Sequence, residues 1–235
     1  MRISRKIPRE MMPRDGGPGP TRRIESRNPL RVIRLFPSSF MGCMVPCESL
    51  GEYEQMTCVE ADGSVLRFRA QADPVTWNDD GTMRRHTPDL EVLYDDGRTV
   101  LQEVKAFASL SKEKLSLYER RAEIIQDDLA PHGISYELVD STSSGFRQRY
   151  LAADTVVAAG LGSVPHGLSH IVREAVLLHG ASTIGELEVL IPAATRSYLM
   201  ALAPRRELVI DLNRGPVSAW TPVRLPHPSN KETQR

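Results

Sequence analysis

Residues 65–71 read V-L-R-F-R-A-Q: apolar Leu66, Phe68 and Ala70 alternate with Arg67, Arg69 and Gln71, the period of a half-buried strand. Two further runs, D-L-E-V-L-Y from Asp89 and T-V-L-Q-E-V-K from Thr99, flank Asp95-Asp96-Gly97-Arg98. An acid followed by glycine favours the positive φ angles of tight turns, so the pair predicts a β-hairpin. Beyond it the period changes. Leu115, Tyr118, Ala122, Ile125 and Leu129 recur at spacings of three and four, which predicts an amphipathic helix over 111–129, ended by Pro131-His132-Gly133. Ile134, Tyr136 and Leu138 alternate into another strand. Ahead of the first strand, C-E-S-L-G-E-Y-E-Q-M predicts a short helix with Glu48 and Glu52 one turn apart. The order helix, three strands, helix, strand describes an α/β unit, placed here at 35–140.

A second pattern follows. S-T-S-S-G-F-R-Q-R-Y after Asp140 reads as a linker, taken as 141–168. S-H-I-V-R-E-A-V-L-L-H has a helical period, and S-T-I-G-E-L-E-V-L offers Ser182 as a cap with Glu186 just beyond the first turn. Pro192 suits a helix start before A-A-T-R-S-Y-L-M-A-L. E-L-V-I-D-L and V-S-A-W-T-P-V flank Asn213-Arg214-Gly215, a second hairpin signal. Three short helices and a two-stranded ribbon predict a small winged-helix-like domain over 169–225, with 226–235 as a disordered tail.

Composition changes this picture at one place. Charged residues make up 26% of the 235 and the hydrophobic set 40%, ordinary for a globular protein, and no apolar run approaches the roughly 18–20 residues of a membrane helix. The formal net charge is zero, yet residues 1–34 hold one lysine and nine arginines against Glu10, Asp15 and Glu25. That arm includes P-R-D-G-G-P-G-P and reads as disordered: either a solubilising tail or an arm that lies along nucleic-acid phosphates. Cys43, Cys47 and Cys58, without a signal peptide, suggest reduced packing thiols in a cytosol. Cys43 and Cys47 can share a helix face, but no further Cys or His pair completes a zinc site.

The hairpin carries the chemistry. Side chains alternate along a strand, so Glu103 and Lys105 face one way and Gln102 and Val104 the other. Asp89 opens the neighbouring strand and meets the end of the second one, where Glu103 lies. Two carboxylates side by side repel unless a cation holds them or one takes a proton. Hard oxygen ligands on a rigid strand pair suit Mg2+ or Mn2+, with Lys105 placed to orient a water or to stabilise charge on a phosphate. Glu52, projecting from the preceding helix, supplies another candidate ligand. Glu91 and Gln102 face away and read as structural.

P-D, then thirteen residues, then E-x-K resembles the PD-(D/E)xK nuclease superfamily. C-E-S-L-G-E, V-L-R-F-R-A-Q, R-R-H-T-P-D-L-E-V and L-Q-E-V-K together resemble the TnsA endonuclease subunit of heteromeric transposases, over about residues 48–140. That resemblance implies a restriction-endonuclease-like mixed sheet with flanking helices, followed by a small winged-helix-like domain. It also implies a Mg2+-dependent (or Mn2+-dependent) DNA endonuclease that cuts the 5′ ends of a mobile element. Its implied partners are double-stranded DNA at transposon ends, a DDE-type transposase subunit and an AAA+ ATPase regulator, in the bacterial cytosol. Carried over by position, the acid of the family's S-x-x-E helix falls on Glu52, the P-D acid on Asp89 and the E-x-K pair on Glu103 and Lys105. The chain departs from the pattern at Gln71-Ala72, where Gln-Pro is common, and at Gly51, where a large apolar residue is usual. The second departure leaves Glu48 and Glu52 both open as the helix ligand.

Other residues divide between roles. Arg84 and Arg85 before the P-D strand suit a phosphate grip or a solvated turn, and Gln71 suits a DNA contact or a strand-end hydrogen bond. Thr195, Arg196 and Tyr198 fall on the expected recognition helix, which suits protein contact as well as DNA. His166 and His170 have i, i+4 spacing but no H-E-x-x-H glutamate, and read as surface or packing residues. Two other functions remain: another nuclease of the same superfamily, restriction or junction-resolving, and a non-catalytic module that holds DNA or a protein.

Overall fold

The computed structural model describes residues 33–79 and 81–228. The basic arm lies outside them except for Ile33 and Arg34, as does the tail from 229. The elements are β1 (Arg34–Ser38), β2 (Cys43–Cys47), α1 (Leu50–Ala61), β3 (Val65–Ala70), β4 (Val75–Asp79), β5 (Thr82–His86), β6 (Leu90–Tyr94) and β7 (Thr99–Lys105). There follow α2 (Lys112–Leu129), β8 (Ile134–Asp140), α3 (Ser144–Gly160), α4 (Leu168–His179), α5 (Ile184–Leu190), α6 (Arg196–Leu202), β9 (Val209–Ile210) and β10 (Val223–Arg224). The class is mixed α/β, with a four-stranded mixed sheet in the order β3-β6-β7-β8 and flanking helices. No helix among the described residues is long and apolar enough to cross a membrane.

Two compact units share the chain. One runs to Met56 and adds Phe68–Val92 and Thr99–Val139; the other takes Thr57–Arg67, Leu93–Arg98 and everything from Asp140. The units are therefore interleaved in sequence, unlike the continuous 35–140 and 169–225 expected from the linear pattern.

In the first unit, β7 is buried at five consecutive positions, Val100 to Val104. A strand flanked by β6 and β8 and covered on both faces needs such a run. On one face Leu101 packs with Ala72, Trp77, Ile125 and Tyr136, and Ala122 and Leu129 of α2 lie against this cluster. The helix thus docks by the stripe its spacing predicts, and Ser111 caps it by accepting the Lys114 N–H. On the other face Gln102 accepts a hydrogen bond from Gln55 of α1 at 2.9 Å and donates to Glu137 at 3.2 Å. The β6–β7 turn forms at Asp95–Arg98 with Gly97 at φ 88°, as the acid-Gly signal requires.

Two hairpins come as additions to the predicted order. β4 pairs with β5 from Val75↔His86 to Asp79↔Thr82, with Gly81 at φ 82° in its turn. Asp79-Asp80-Gly81 carries the same turn signal as Asp95-Asp96-Gly97, but its strands lack apolar alternation because β5 is exposed from Thr82 to Arg85. β1 pairs with β2, and this corrects the helix reading of Cys43 and Cys47: both sit on β2, where i, i+4 spacing also shares a face. All three cysteines are buried thiols.

The second unit corrects the linker. Residues read as 141–168 contain α3, capped by Ser143 and burying Phe146, Ala152, Ala153 and Val156. The S-T-S-S-G run is this helix's start, and its small apolar positions pack in a cluster with Val172, Ile184, Leu187, Leu199, Leu202 and Leu208. Thr183 rather than Ser182 caps α5, in a capping box with Glu186, and Thr195 rather than Pro192 opens α6. The ribbon shrinks to two residues per strand, and Asn213-Arg214 belong to a 3-10 turn at Leu212–Arg214. Pro226 to Pro228 are described, and the His227 N–H donates to the Asp95 carboxylate, itself paired with Arg224 at 2.9 Å. His170 is 75% exposed and lies 3.5 Å from Glu174, a surface pair.

A close backbone approach pins this unit at Gly63. A Cβ there would lie 2.0 Å from the Leu208 carbonyl oxygen. Gly63→Ala should therefore cost about 3 kcal/mol in urea unfolding; a loss below 1 kcal/mol would show that the contact gives way freely.

Candidate functional site

Asp89 stands immediately before β6, where its main-chain carbonyl accepts the Gln71 N–H at 2.8 Å. Its Oδ2 accepts the Val104 N–H at 2.8 Å, which turns the carboxylate towards the end of β7. Glu103 and Lys105, two residues apart on β7, share a face. Lys105 Nζ lies 2.7 Å from Glu103 Oε1 and 3.4 Å from Asp89 Oδ2. One ammonium thus bridges the two carboxylates.

Glu103 is 2% exposed, so its charge needs partners. It has three. His86, the last residue of β5, places Nε2 2.5 Å from Oε2. Arg121 of α2 places Nη2 3.3 Å from Oε1, the oxygen that Lys105 also contacts. Tyr118, one turn earlier, lies under both cations, with its ring centroid 4.7 Å from the Arg121 guanidinium carbon and 5.8 Å from Lys105 Nζ. No motif in the sequence marks His86, Tyr118 or Arg121 as part of this site: Tyr118 belongs to the apolar stripe of α2, Arg121 follows it at the i+3 position of the same face, and His86 precedes Asp89 by three residues in R-R-H-T-P-D.

Glu52 is buried in the first turn of α1. Its Oε2 accepts the Glu48 N–H at 2.8 Å and its Oε1 accepts the Ser49 hydroxyl at 2.9 Å, while Ser49 Oγ accepts the Glu52 N–H at 3.1 Å. This reciprocal pattern closes the helix start in the manner of a capping box. Of the two acids left open by the sequence, Glu52 is the one whose charge acts on Asp89, and Lys105 acts on it in turn. Its carboxylate nevertheless serves its own helix.

The remaining expected residues lie apart. Gln71 is 3% exposed at φ 53°, held by its main-chain bond to Asp89, which is the strand-end role. Arg84 and Arg85 are exposed on β5, with Arg84 Nε 3.6 Å from Asp79. Glu91 pairs with Arg69 at 2.5 Å, and Gln102 joins Gln55 on the face of β7 opposite Glu103. Arg196 makes a two-pronged contact with Glu188, at 3.1 and 2.9 Å, which commits it within its own unit.

Electrostatics separates the acids. Burial pushes Glu103 up, but His86 and then Lys105 hold it below the usual carboxylate range. Burial and the Glu103 charge push Asp89 up to about 7, against the pull of Lys105. Burial also raises Glu52, opposed by its hydrogen bonds to the Glu48 main chain and Ser49. Lys105 is raised: burial works against it and the charges of Asp89 and Glu103 outweigh that.

Among the described residues no three His, Cys, Asp or Glu side chains converge as a ready cage for an ion. The donor set nonetheless fits magnesium or manganese. Mg2+ keeps several waters and takes one or two carboxylates plus substrate phosphate oxygens, rather than an all-protein cage. Asp89 and Glu103 supply such a pair, and they already share one cation, the Lys105 ammonium. Comparison with known proteins adds no relative: no family model and no curated protein matches the chain.

The raised Asp89 fixes a pH dependence of stability. Folding takes up a proton at this group between about pH 4, its unfolded value, and about pH 7, so its stability contribution is full below pH 4 and lost as pH rises through 7. Asp89→Asn should raise stability at pH 8 in EDTA by on the order of 2 kcal/mol, with no gain near pH 4. Thermal unfolding across pH measures this; an unchanged midpoint at pH 8 would contradict the raised carboxyl.

Proposed function

We propose that this chain is a metal-dependent DNA endonuclease that hydrolyses a phosphodiester at the end of a mobile element. The observation that supports it is the pair of half-buried Asp89 and buried Glu103 bridged by Lys105 at the end of a hairpin. The motifs that resemble the TnsA subunit support the transposon role, and with it the restriction-endonuclease-like sheet and winged-helix-like second domain. The same reading places the protein in the bacterial cytosol, with a DDE-type transposase and an AAA+ ATPase regulator as partners.

Asp89 and Glu103 would hold the divalent cation, with Glu52 as a further ligand on leaving its cap. When bound, that cation polarises the scissile phosphate and lowers the pKa of a coordinated water. The Lys105 ammonium, on a four-carbon stem beside both acids, would orient the attacking water or meet the charge that grows on the phosphate. Trp77, Leu101, Ile125 and Tyr136 form an apolar cluster that keeps part of the surroundings dry, which strengthens these interactions. Arg84 and Arg85 on exposed β5 suit contacts to flanking phosphates.

A second reading has one observation in its favour. Glu52 is engaged at its own helix start and Lys105 already neutralises the acids, an arrangement that also suits a module that holds DNA without cutting it.

Asp89→Ala should abolish Mg2+-dependent nicking of transposon-end DNA, and Lys105→Ala should lower it at least a hundredfold, with far-UV circular dichroism unchanged in both. The assay includes the transposase partner. Undiminished cleavage by either variant removes this mechanism, and DNA affinity without calorimetric Mg2+ or Mn2+ binding selects the second reading.

A further inference from the structure

The two oxygens of Glu103 are divided between opposite neighbours. Oε1 meets Lys105 at 2.7 Å and Arg121 at 3.3 Å, whereas Oε2 meets only His86 among the contacts described, at 2.5 Å. A carboxylate accepts and does not donate, so the His86 Nε2 carries the hydrogen. The imidazole is itself held. His86 closes β5 in register with Val75, and its side chain is 17% exposed.

This matters because the last torsion of glutamate is broad and two-fold, and a free carboxylate swings between presenting one oxygen and two. A ring nitrogen on one oxygen stops that swing. We propose that His86 is a positioning residue for Glu103: it anchors Oε2, so that Oε1 is the oxygen turned to the cation shared with Asp89. The inference rests on the proposed metal-dependent reading and deepens it, since it assigns the outer support of a ligand rather than another ligand. It also gives the β4–β5 hairpin a purpose. The exposed strand that bears Arg84 and Arg85 ends on the side chain that orients Glu103.

Mn2+ binding by isothermal calorimetry on the full chain, without DNA, tests this directly. His86→Ala should weaken Mn2+ binding 10–100-fold, the usual loss when an outer hydrogen bond to a metal ligand is removed. His86→Gln, whose amide nitrogen reaches the place of Nε2, should restore affinity close to that of the unaltered chain. His86→Asn, with its amide drawn back, should resemble alanine, and it replaces alanine in the comparison if the alanine variant does not fold. Equal Mn2+ affinity in the unaltered, asparagine and glutamine proteins overturns the assignment, as does equal affinity in a folded alanine variant. If the unaltered chain neither binds Mn2+ nor cleaves, the proposed function itself fails; if it does both and the His86 variants match it, the positioning role alone falls.

Discussion

A carboxylate that is 2% exposed cannot stay ionised without hydrogen-bond donors and cations around it, and much of the first unit is arranged to supply them to Glu103. β5 brings an imidazole, α2 a guanidinium, and β7 itself an ammonium two residues on. Removing one of the three leaves the others closer to a bare buried charge, so the elements that carry them are tied to one group. Asp89 receives less. Its Oδ2 shares the lysine and takes one main-chain N–H, and it pays in proton affinity, rising to about 7 while Glu103 falls. Burial pushes both neighbouring acids up, and they hold protons differently because Glu103 has more partners to oppose it.

The sheet explains how this is possible within a packed core. β7 sends Leu101, Glu103 and Lys105 to one side and Gln102 to the other, so an apolar layer and a polar one can be built from consecutive residues. Leu101 roots the strand against α2, and the charged pair follows towards the strand's end. On the far side Gln55, Gln102 and Glu137 hydrogen-bond in sequence, which satisfies both ends of the buried Gln102 amide. The bridging lysine is held as well: a strand fixes where its stem starts, and its ammonium also donates to the Val104 carbonyl at 3.0 Å.

Legibility followed the strength of local signals. β6, β7, α2 and β8 were readable because alternation, an acid-Gly turn and a three-four stripe each point one way. The β4–β5 hairpin was not, since β5 is exposed along nearly its whole length and has no apolar face to alternate with a polar one. α3 was hidden by its own cap: Ser-Thr-Ser-Ser-Gly suits a loop and a helix start equally, and alanines bury a face without a strong hydrophobic signal.

The chain by itself determined that Glu103 and Lys105 project together and that Asp89 opens the strand beside them, because strand period and a tight turn are local properties. It also determined the face on which α2 would dock. Only the tertiary structure decided which side chains from β5 and α2 would close on the carboxylate, and that Glu52 would hold its helix start while lying within electrostatic reach of Asp89. Those choices depend on distances between segments 17 and 18 residues apart, and on burial that raises the energy of any charge left alone. No local period encodes such distances.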